Sequence, residues 1–99
     1  MKLKPILLAM GASLFLALPA TASAQCYADY RAQQSNPTRF HYGVAAISDS
    51  ACGNTAAARA ELSSRLSRNG WTLVNVLSTF GPDGLASRQG NAGSYFLRF

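Results

Sequence analysis

The segment that decides the fold is NTAAARAELSSRLSRNGWTLVNVLSTF, residues 54–80. Its first half is rich in strong helix formers, and small or branched apolar residues recur every fourth position at Ala58, Leu62 and Leu66. This spacing places the three side chains on one narrow face, as in a helix that packs on a sheet. The pattern predicts a helix over residues 56–68.

Both ends of this helix carry matching signals. Asn54 or Thr55 can cap the first turn, and Asn69 followed by Gly70 is typical of a left-handed cap after the last turn. The next stretch, residues 71–80, combines β-branched and aromatic residues with apolar side chains on both faces. It predicts the strongest strand of the chain, covered at least partly on each side.

Two further strands are predicted on either side of this unit. Residues 39–47 alternate aromatic and small residues, and we expect Phe40, Tyr42 and Val44 to point into the core. Residues 94–99 predict a last strand whose odd-numbered side chains share one apolar face. Between the strands, Gly81-Pro-Asp-Gly is a turn signal, and the glycine-rich residues 90–93 are expected to form a loop.

The remaining segment, residues 26–34, has few β-branched residues and no alternation that we recognise, so it predicts a short helix that ends before Pro37. The expected order is helix, strand, helix, strand, strand. This corresponds to a two-layer α+β domain: a three-stranded, largely antiparallel sheet with one long helix on a face, plus a short N-terminal helix.

The beginning of the chain has the features of a secretory signal peptide. Lys2 and Lys4 precede an apolar run over residues 6–18, which is shorter than the roughly 20 residues of a membrane span. Small residues follow, and cleavage is expected between Ala24 and Gln25. An uncleaved anchor is the alternative, which the short run disfavours. The predicted organisation is a signal peptide over 1–24, then a single domain over 25–99, exported to the periplasm or secreted.

Removal of residues 1–24 changes the charge of the chain. The full sequence carries a net charge of +5, but both lysines lie in the predicted signal peptide. Seven arginines, three aspartates and one glutamate remain, which gives +3. This charge favours solubility and permits weak attraction to anionic envelope surfaces. Because the cations do not cluster with aromatic residues, no nucleic-acid partner is expected.

The two cysteines, Cys26 and Cys52, both belong to the predicted exported domain. A chain of this size forms a marginal core, and small exported domains often add a disulfide. Two cysteines permit only one intramolecular pairing. Free thiols, an intermolecular bond or a metal site are the alternatives, although a metal would need further ligands and His41 is the only histidine.

The stretch LSRNGWTLVNV, residues 66–76, and the closing Leu-Arg-Phe resemble small bacterial domains of unknown function. That family has a β-α-β-β core with the hallmark Gly-Trp-Glu-Leu-Val-x-Val, in which Thr72 here replaces the usual glutamate. The resemblance covers about residues 40–99. It implies the same order of strands and helix, and it implies no activity, because the family has no established catalytic residues.

The sequence contains no convincing catalytic set. His41 is the only group with an ordinary pKa near neutrality, and its position between two aromatic residues is more typical of a structural histidine. The four acidic residues are scattered, and the serines lack the context of a nucleophile. We therefore expect no enzyme, no cofactor and no metal site.

The leading hypothesis is a non-enzymatic module that binds another protein or an envelope component. The candidate contact residues are Trp71, Tyr95, Arg39, Arg88 and Arg98. Trp71 follows a helix cap directly and is more often a core residue in that position. Two alternatives stay open: a structural domain that forms a homodimer through residues 71–80, and a small hydrolase or redox enzyme that depends on His41 or the cysteines.

Overall fold

A computed structural model describes residues 25–99 of the chain. The predicted signal peptide, including Ala24 on one side of the expected cleavage point, lies outside the described residues. The strands are β1 (Cys26–Gln34), β2 (Arg39–Ile47) and β3 (Thr72–Phe80), and the helices are α1 (Thr55–Ser67) and α2 (Ala86–Ala92). Single 3-10 turns at Asp49–Ala51 and Pro82–Gly84 lie in the connections, and a third at Gly93–Tyr95 follows α2.

The sheet has the strand order β2-β1-β3, and both pairings are antiparallel. Along β1 and β2 the register is regular from Cys26 opposite Ile47 to Gln34 opposite Arg39. Helix α1 packs on one face against β3 and β2, while α2 packs on β2. The α+β class and the three-stranded antiparallel sheet are therefore confirmed, but two helices follow the first strands and the predicted N-terminal helix is absent from the described residues.

The prediction for residues 26–34 was wrong, because this segment is the central strand. Its alternation is real but is disguised by alanine: Cys26, Ala28, Tyr30 and Ala32 are all fully buried. Alanine and glutamine favour a helix in isolation. Here, pairing with a strand on each side satisfies the backbone hydrogen bonds of β1 and overrides that preference.

The C-terminal predictions were also wrong. Residues 90–93 are not a loop, because α2 continues to Ala92 and ends at Gly93, which has a left-handed φ of 55°. Residues 94–99 form no strand. Leu97 has a φ of 57°, and the segment makes one isolated bridge, between Phe96 and Val44 at the free edge of β2. The third strand of the sheet is β1 instead.

Helix α1 follows the sequence prediction closely. The side chain of Asn54 caps it by accepting a hydrogen bond from the Ala57 backbone amide at 3.0 Å. The predicted apolar face is fully buried, with Ala58, Leu62 and Leu66 at 0% exposure. This face and the buried side chains of β1 belong to one hydrophobic core.

The orientation predicted for β2 was wrong at Phe40, which is 70% exposed. The alternate residues His41, Gly43, Ala45 and Ile47 face α1 and are buried. Tyr30 explains the choice, because it lies opposite Gly43 and covers it. A Cβ at position 43 would overlap the Tyr30 ring, with Cζ at 2.5 Å. The strand therefore turns its small residues, and not Phe40, toward the large side chains of the core.

The predicted disulfide is confirmed between Cys26 and Cys52, whose Cα atoms are 5.7 Å apart. It joins the first residue of β1 to the turn that precedes α1. Within residues 25–99, no helix combines the length and the apolar character needed to cross a membrane.

Candidate functional site

The face of the sheet opposite α1 is only partly covered. Helix α2 packs over β2 beside Val44, which is fully buried, and the rest of this face is open. A shallow groove of about 440 Å³ crosses it, and a second depression of about 390 Å³ shares its floor. We call the surface around them the open sheet face, and we define it by Arg31, Gln33, Phe40, Tyr42, Val74 and Leu77. His41 also contributes to the lining of the groove, and Asn91 of α2 to that of the second depression.

The apolar residues contributed by β3 stand at irregularities in the strand. The register with β1 passes from Ser78 to Val76 and from Asn75 to Leu73, so that Leu77 and Val74 have no partner opposite them. Such bulges redirect side chains. Val74 is 44% exposed and Leu77 is 42% exposed, and each lines one of the two depressions.

Asp29 anchors the floor of the open sheet face. Its carboxylate accepts hydrogen bonds from the Tyr42 hydroxyl at 2.9 Å, from the Ser78 hydroxyl at 2.7 Å and from Nε of Arg88 at 3.1 Å. Burial alone raises the pKa of Asp29, but these hydrogen bonds and the charge of Arg88 outweigh it and hold the pKa below its usual value. Asp29 is therefore ionised, and the Tyr42 ring is held in one place.

Arg88 connects this anchor to α2. One guanidinium nitrogen donates to the Gly84 carbonyl at 2.8 Å, and the group lies 3.8 Å from the centre of the Phe80 ring. The same side chain pairs with Asp29. These three contacts of Arg88 hold α2 against the sheet. The open sheet face begins where this helix stops covering the strands.

Arg31 lies at the centre of this surface. It is exposed on the middle strand, between Tyr42 and Asn75 in register. Neither ion pair of residues 25–99 includes it, and no aspartate or glutamate lines either depression. The nearest carboxylate along β1, Asp29, is already engaged. The open sheet face thus presents one uncompensated guanidinium among apolar and aromatic side chains.

The opposite face holds a second cluster, around His41. Its Nε2 lies 3.0 Å from the Tyr30 hydroxyl, and its ring stacks on Tyr95 with centroids 3.7 Å apart. Trp71 meets it edge-on at 4.3 Å and Phe99 lies at 5.9 Å. Burial, and then the charge of Arg98, lower the pKa of His41 to about 4. The imidazole is therefore neutral at physiological pH and serves as part of an aromatic core.

Tyr30 completes this cluster from the central strand. Its side chain is fully buried, and burial raises its pKa to about 12. The hydroxyl therefore keeps its proton at neutral pH, so that neither member of the Tyr30–His41 pair is charged. A pair without charge suits a site enclosed by aromatic rings.

Three of the five predicted contact residues gather around His41 and not around the groove. Trp71 is buried at 8% exposure, which makes it the core residue that its position suggested. Tyr95 is half-buried on His41, and Arg98 lies over the Tyr95 and Phe99 rings at 5.5 and 5.6 Å. These three residues therefore belong to the aromatic cluster that packs around His41 of β2.

The other two predicted contacts lie nearer to the open sheet face. Arg88 borders it but is engaged by Asp29, and Arg39 is exposed beside Phe40 at the start of β2. Arg31, Phe40 and Val74 were not among the residues predicted to lie on a binding surface. The available signal was an excess of aromatic residues over what a small core can bury, but it does not say which ones are exposed.

Among residues 25–99, no group of three or more histidine, cysteine, aspartate or glutamate side chains is arranged to hold a metal ion. Comparison with protein-family models, with curated proteins and with solved structures gives no match. The resemblance to the Gly-Trp-x-Leu-Val-x-Val domains stays a prediction.

Proposed function

We propose that this chain is an exported, non-enzymatic binding module and that it binds another protein through the open sheet face. One observation carries the proposal: Phe40 is 70% exposed, and it shares one face with exposed Val74 and Leu77 and with Arg31, which forms no ion pair among residues 25–99. Single exposed apolar residues are common on soluble proteins, whereas a contiguous set around a groove is typical of interaction surfaces.

The composition of this face supports a protein as the ligand. Aromatic residues and arginine are enriched in the central, buried parts of protein interfaces. Here Phe40 and Tyr42 adjoin Arg31 on neighbouring strands. Because Tyr42 is already held by Asp29, the surface loses little conformational freedom when a partner binds, and less binding free energy is spent on ordering it.

The face is a better candidate than the edge of the sheet. Strand β3 is an edge strand, but its two bulges interrupt the regular backbone pattern that an added strand would need. The free edge of β2 is bridged by Phe96, and the Leu97 amide donates to the Val44 carbonyl at 2.8 Å. Both features weigh against self-association by strand pairing. The alternative raised for residues 71–80, a homodimer that buries one apolar face of this strand, is a different arrangement, and the cross-linking test below distinguishes it.

Export is part of the proposal. Its support is the signal-like sequence of residues 1–24 together with the Cys26–Cys52 disulfide, since disulfides persist mainly in oxidising compartments. Determination of the N-terminus of the protein recovered from the envelope fraction or the medium tests this part. A protein that begins at Gln25 is the expected result, and one that retains Met1 in the cytosol contradicts it.

Site-specific photo-cross-linking in living cells tests the binding face. A photoreactive phenylalanine analogue replaces Phe40 in one variant and Ser63, exposed on α1, in the control. We expect a discrete adduct from position 40 that is absent from position 63 and disappears when Val74→Asp is added. Equal adducts from both positions, or none from position 40, contradict the proposal. An adduct of twice the protein mass supports a homodimer instead.

A further inference from the structure

We infer that the open sheet face selects a protein segment that places a carboxylate on Arg31 and apolar side chains on Phe40 and Val74. This inference rests on the proposed binding function and names the chemistry of the partner. On this face Arg31 forms no ion pair with any described residue, and it lies among apolar and aromatic side chains.

Arg31 is the one cation of the open sheet face, and no described residue forms an ion pair with it. Arg65 donates to Glu61 at 2.8 Å, and Arg88 is paired with Asp29. Within the described chain, Arg31 has no carboxylate partner of this sort, and it lies on the central strand of the sheet. A guanidinium presents a planar fork that fits a carboxylate with two hydrogen bonds. Apolar neighbours exclude water from such a pair and strengthen it.

The surroundings of Arg31 supply the second half of the recognition. Phe40 and Val74 line the same groove as Arg31, and Leu77 lies in the depression that shares Arg31 and Tyr42. A ligand that neutralises Arg31 therefore meets apolar side chains on either side. A carboxylate flanked by apolar residues matches both the charge and the surface, whereas a uniformly acidic segment would leave the apolar part uncovered.

Other occupants fit less well. Residues 1–24 contain no aspartate or glutamate and carry two lysines, so this segment of the chain has no side-chain carboxylate for Arg31. An anionic membrane surface attracts several coplanar cations, but the open sheet face contains a single one. Among the side-chain carboxylates of a second copy, Glu61 and Asp29 are already engaged, which leaves only Asp49 and Asp83, both in turns.

Selection of random twelve-residue peptides displayed on phage against the disulfide-bonded domain, residues 25–99, tests the inference. The expected consensus has one aspartate or glutamate between apolar residues. Binding of a selected peptide should weaken about tenfold in Arg31→Gln, because a hydrogen bond to a charged group is lost. Arg31→Lys should give an intermediate loss, because lysine keeps the charge but not the fork.

The outcomes separate this inference from the function on which it rests. A consensus without a carboxylate, or binding that is unchanged in Arg31→Gln, overturns the role of Arg31. If such binding still depends on Phe40, the proposed binding face remains supported. Failure to select any peptide that depends on Phe40 overturns both. Co-sedimentation with phosphatidylglycerol vesicles, lost in Arg31→Gln and accompanied by no peptide consensus, assigns the face to membranes and overturns the inference. Sedimentation of a dimer that Arg31→Gln dissociates assigns the face to a second copy.

Discussion

The hydroxyl of Tyr30 lies 3.0 Å from Nε2 of His41, inside a cage of aromatic rings. The other ring nitrogen, Nδ1, is buried and has no hydrogen-bond partner within the described residues. Nδ1 lacks a partner in either form, but in a protonated His41 it would be an N–H that shares a buried positive charge, and an unpaired charged donor costs more than an unpaired neutral nitrogen. This geometry favours the neutral imidazole, in the same direction as the lowered pKa.

We therefore expect the free energy of unfolding to fall between about pH 6.5 and pH 4. The pKa of His41 is about 4 in the folded chain, whereas its ordinary value of 6.5 applies to the unfolded chain. As the pH decreases, the unfolded chain therefore binds the proton first. The stabilisation that comes from keeping His41 neutral is complete above pH 6.5. The free energy of unfolding then falls by about 2 to 3 kcal/mol as the pH approaches 4. Urea unfolding across this range measures it, and His41→Phe should flatten the dependence. A wild-type profile that is flat in this window contradicts the prediction.

Gly43 should not tolerate a side chain. Because Tyr30 occupies the space of a Cβ at this position, Gly43→Ala is expected to lower the free energy of unfolding by about 1 to 3 kcal/mol. Gly90 gives the matched control: it lies within α2, and an added Cβ there meets nothing within 4 Å. Gly90→Ala should raise stability by up to about 1 kcal/mol. Equal effects of the two substitutions in urea unfolding would argue against the packing explanation.

Asp29→Asn should loosen α2 from the sheet. The substitution removes the charge that pairs with Arg88 and weakens the bonds from Tyr42 and Ser78, so we expect a loss of about 2 to 3 kcal/mol. Ser78→Ala, which removes one of these bonds, should cost about 1 kcal/mol. Hydrogen exchange should show faster exchange in α2 for Asp29→Asn, and unchanged exchange there would contradict the anchoring role.

Acid should act on Asp29 in a lower range than on His41. Its pKa in the folded protein lies below the ordinary value of 3.8. Its stabilising effect is therefore present above pH 3.8 and is lost as the pH falls further. Asp29→Asn should show a weaker pH dependence than the wild type below pH 3.8, and it should leave the decrease between pH 6.5 and pH 4 in place.

Loss of the disulfide should destabilise the domain strongly. The bond joins residues 26 positions apart, and closing a loop of this length contributes about 3 kcal/mol in the chain-entropy model. We expect the Cys26→Ser, Cys52→Ser double variant to lose about this amount in urea unfolding. The wild type under reducing conditions should behave in the same way, and an unchanged midpoint in either case contradicts the prediction.

Phe40 and Trp71 should contribute very differently to the free energy of unfolding. Phe40 is 70% exposed, so Phe40→Ser should change the free energy of unfolding by no more than about 0.5 kcal/mol. Trp71 is buried in the core, and Trp71→Ala should cost about 3 to 5 kcal/mol. Denaturant unfolding of both variants checks the assignment, and a large loss for Phe40→Ser would mean that this residue packs inside the domain.

The segments that the sequence predicted well are those in which local preference and tertiary packing agree. Helix α1 has helix-forming residues, an asparagine cap and an apolar face that meets the sheet. Strand β3 contains β-branched residues and packs against β1 and α1, although the cover expected on both of its faces is missing at Val74 and Leu77. The disulfide followed from the presence of only two cysteines.

The central strand could not be recognised by the same means. In β1, alanine occupies the buried positions 28 and 32, which belong to the same core as Leu62 and Leu66 of α1, and alanine by itself favours a helix. Likewise Phe40 is more apolar than Gly43, yet Gly43 faces the core because Tyr30 needs its space. Both outcomes depend on residues distant in sequence, and so the exposed face that includes Arg31 was also missed.

The position of β1 in the sheet constrains how the chain folds. Its pairing with β2 closes a short hairpin, but its pairing with β3 joins Tyr27 to Phe80 across most of the domain. Contacts of such long sequence separation slow folding. The middle strand is the first of the three strands to be synthesised, and its second neighbour, β3, is the last. A chain that stops short of residue 72 therefore leaves one side of β1 without the strand that pairs with it.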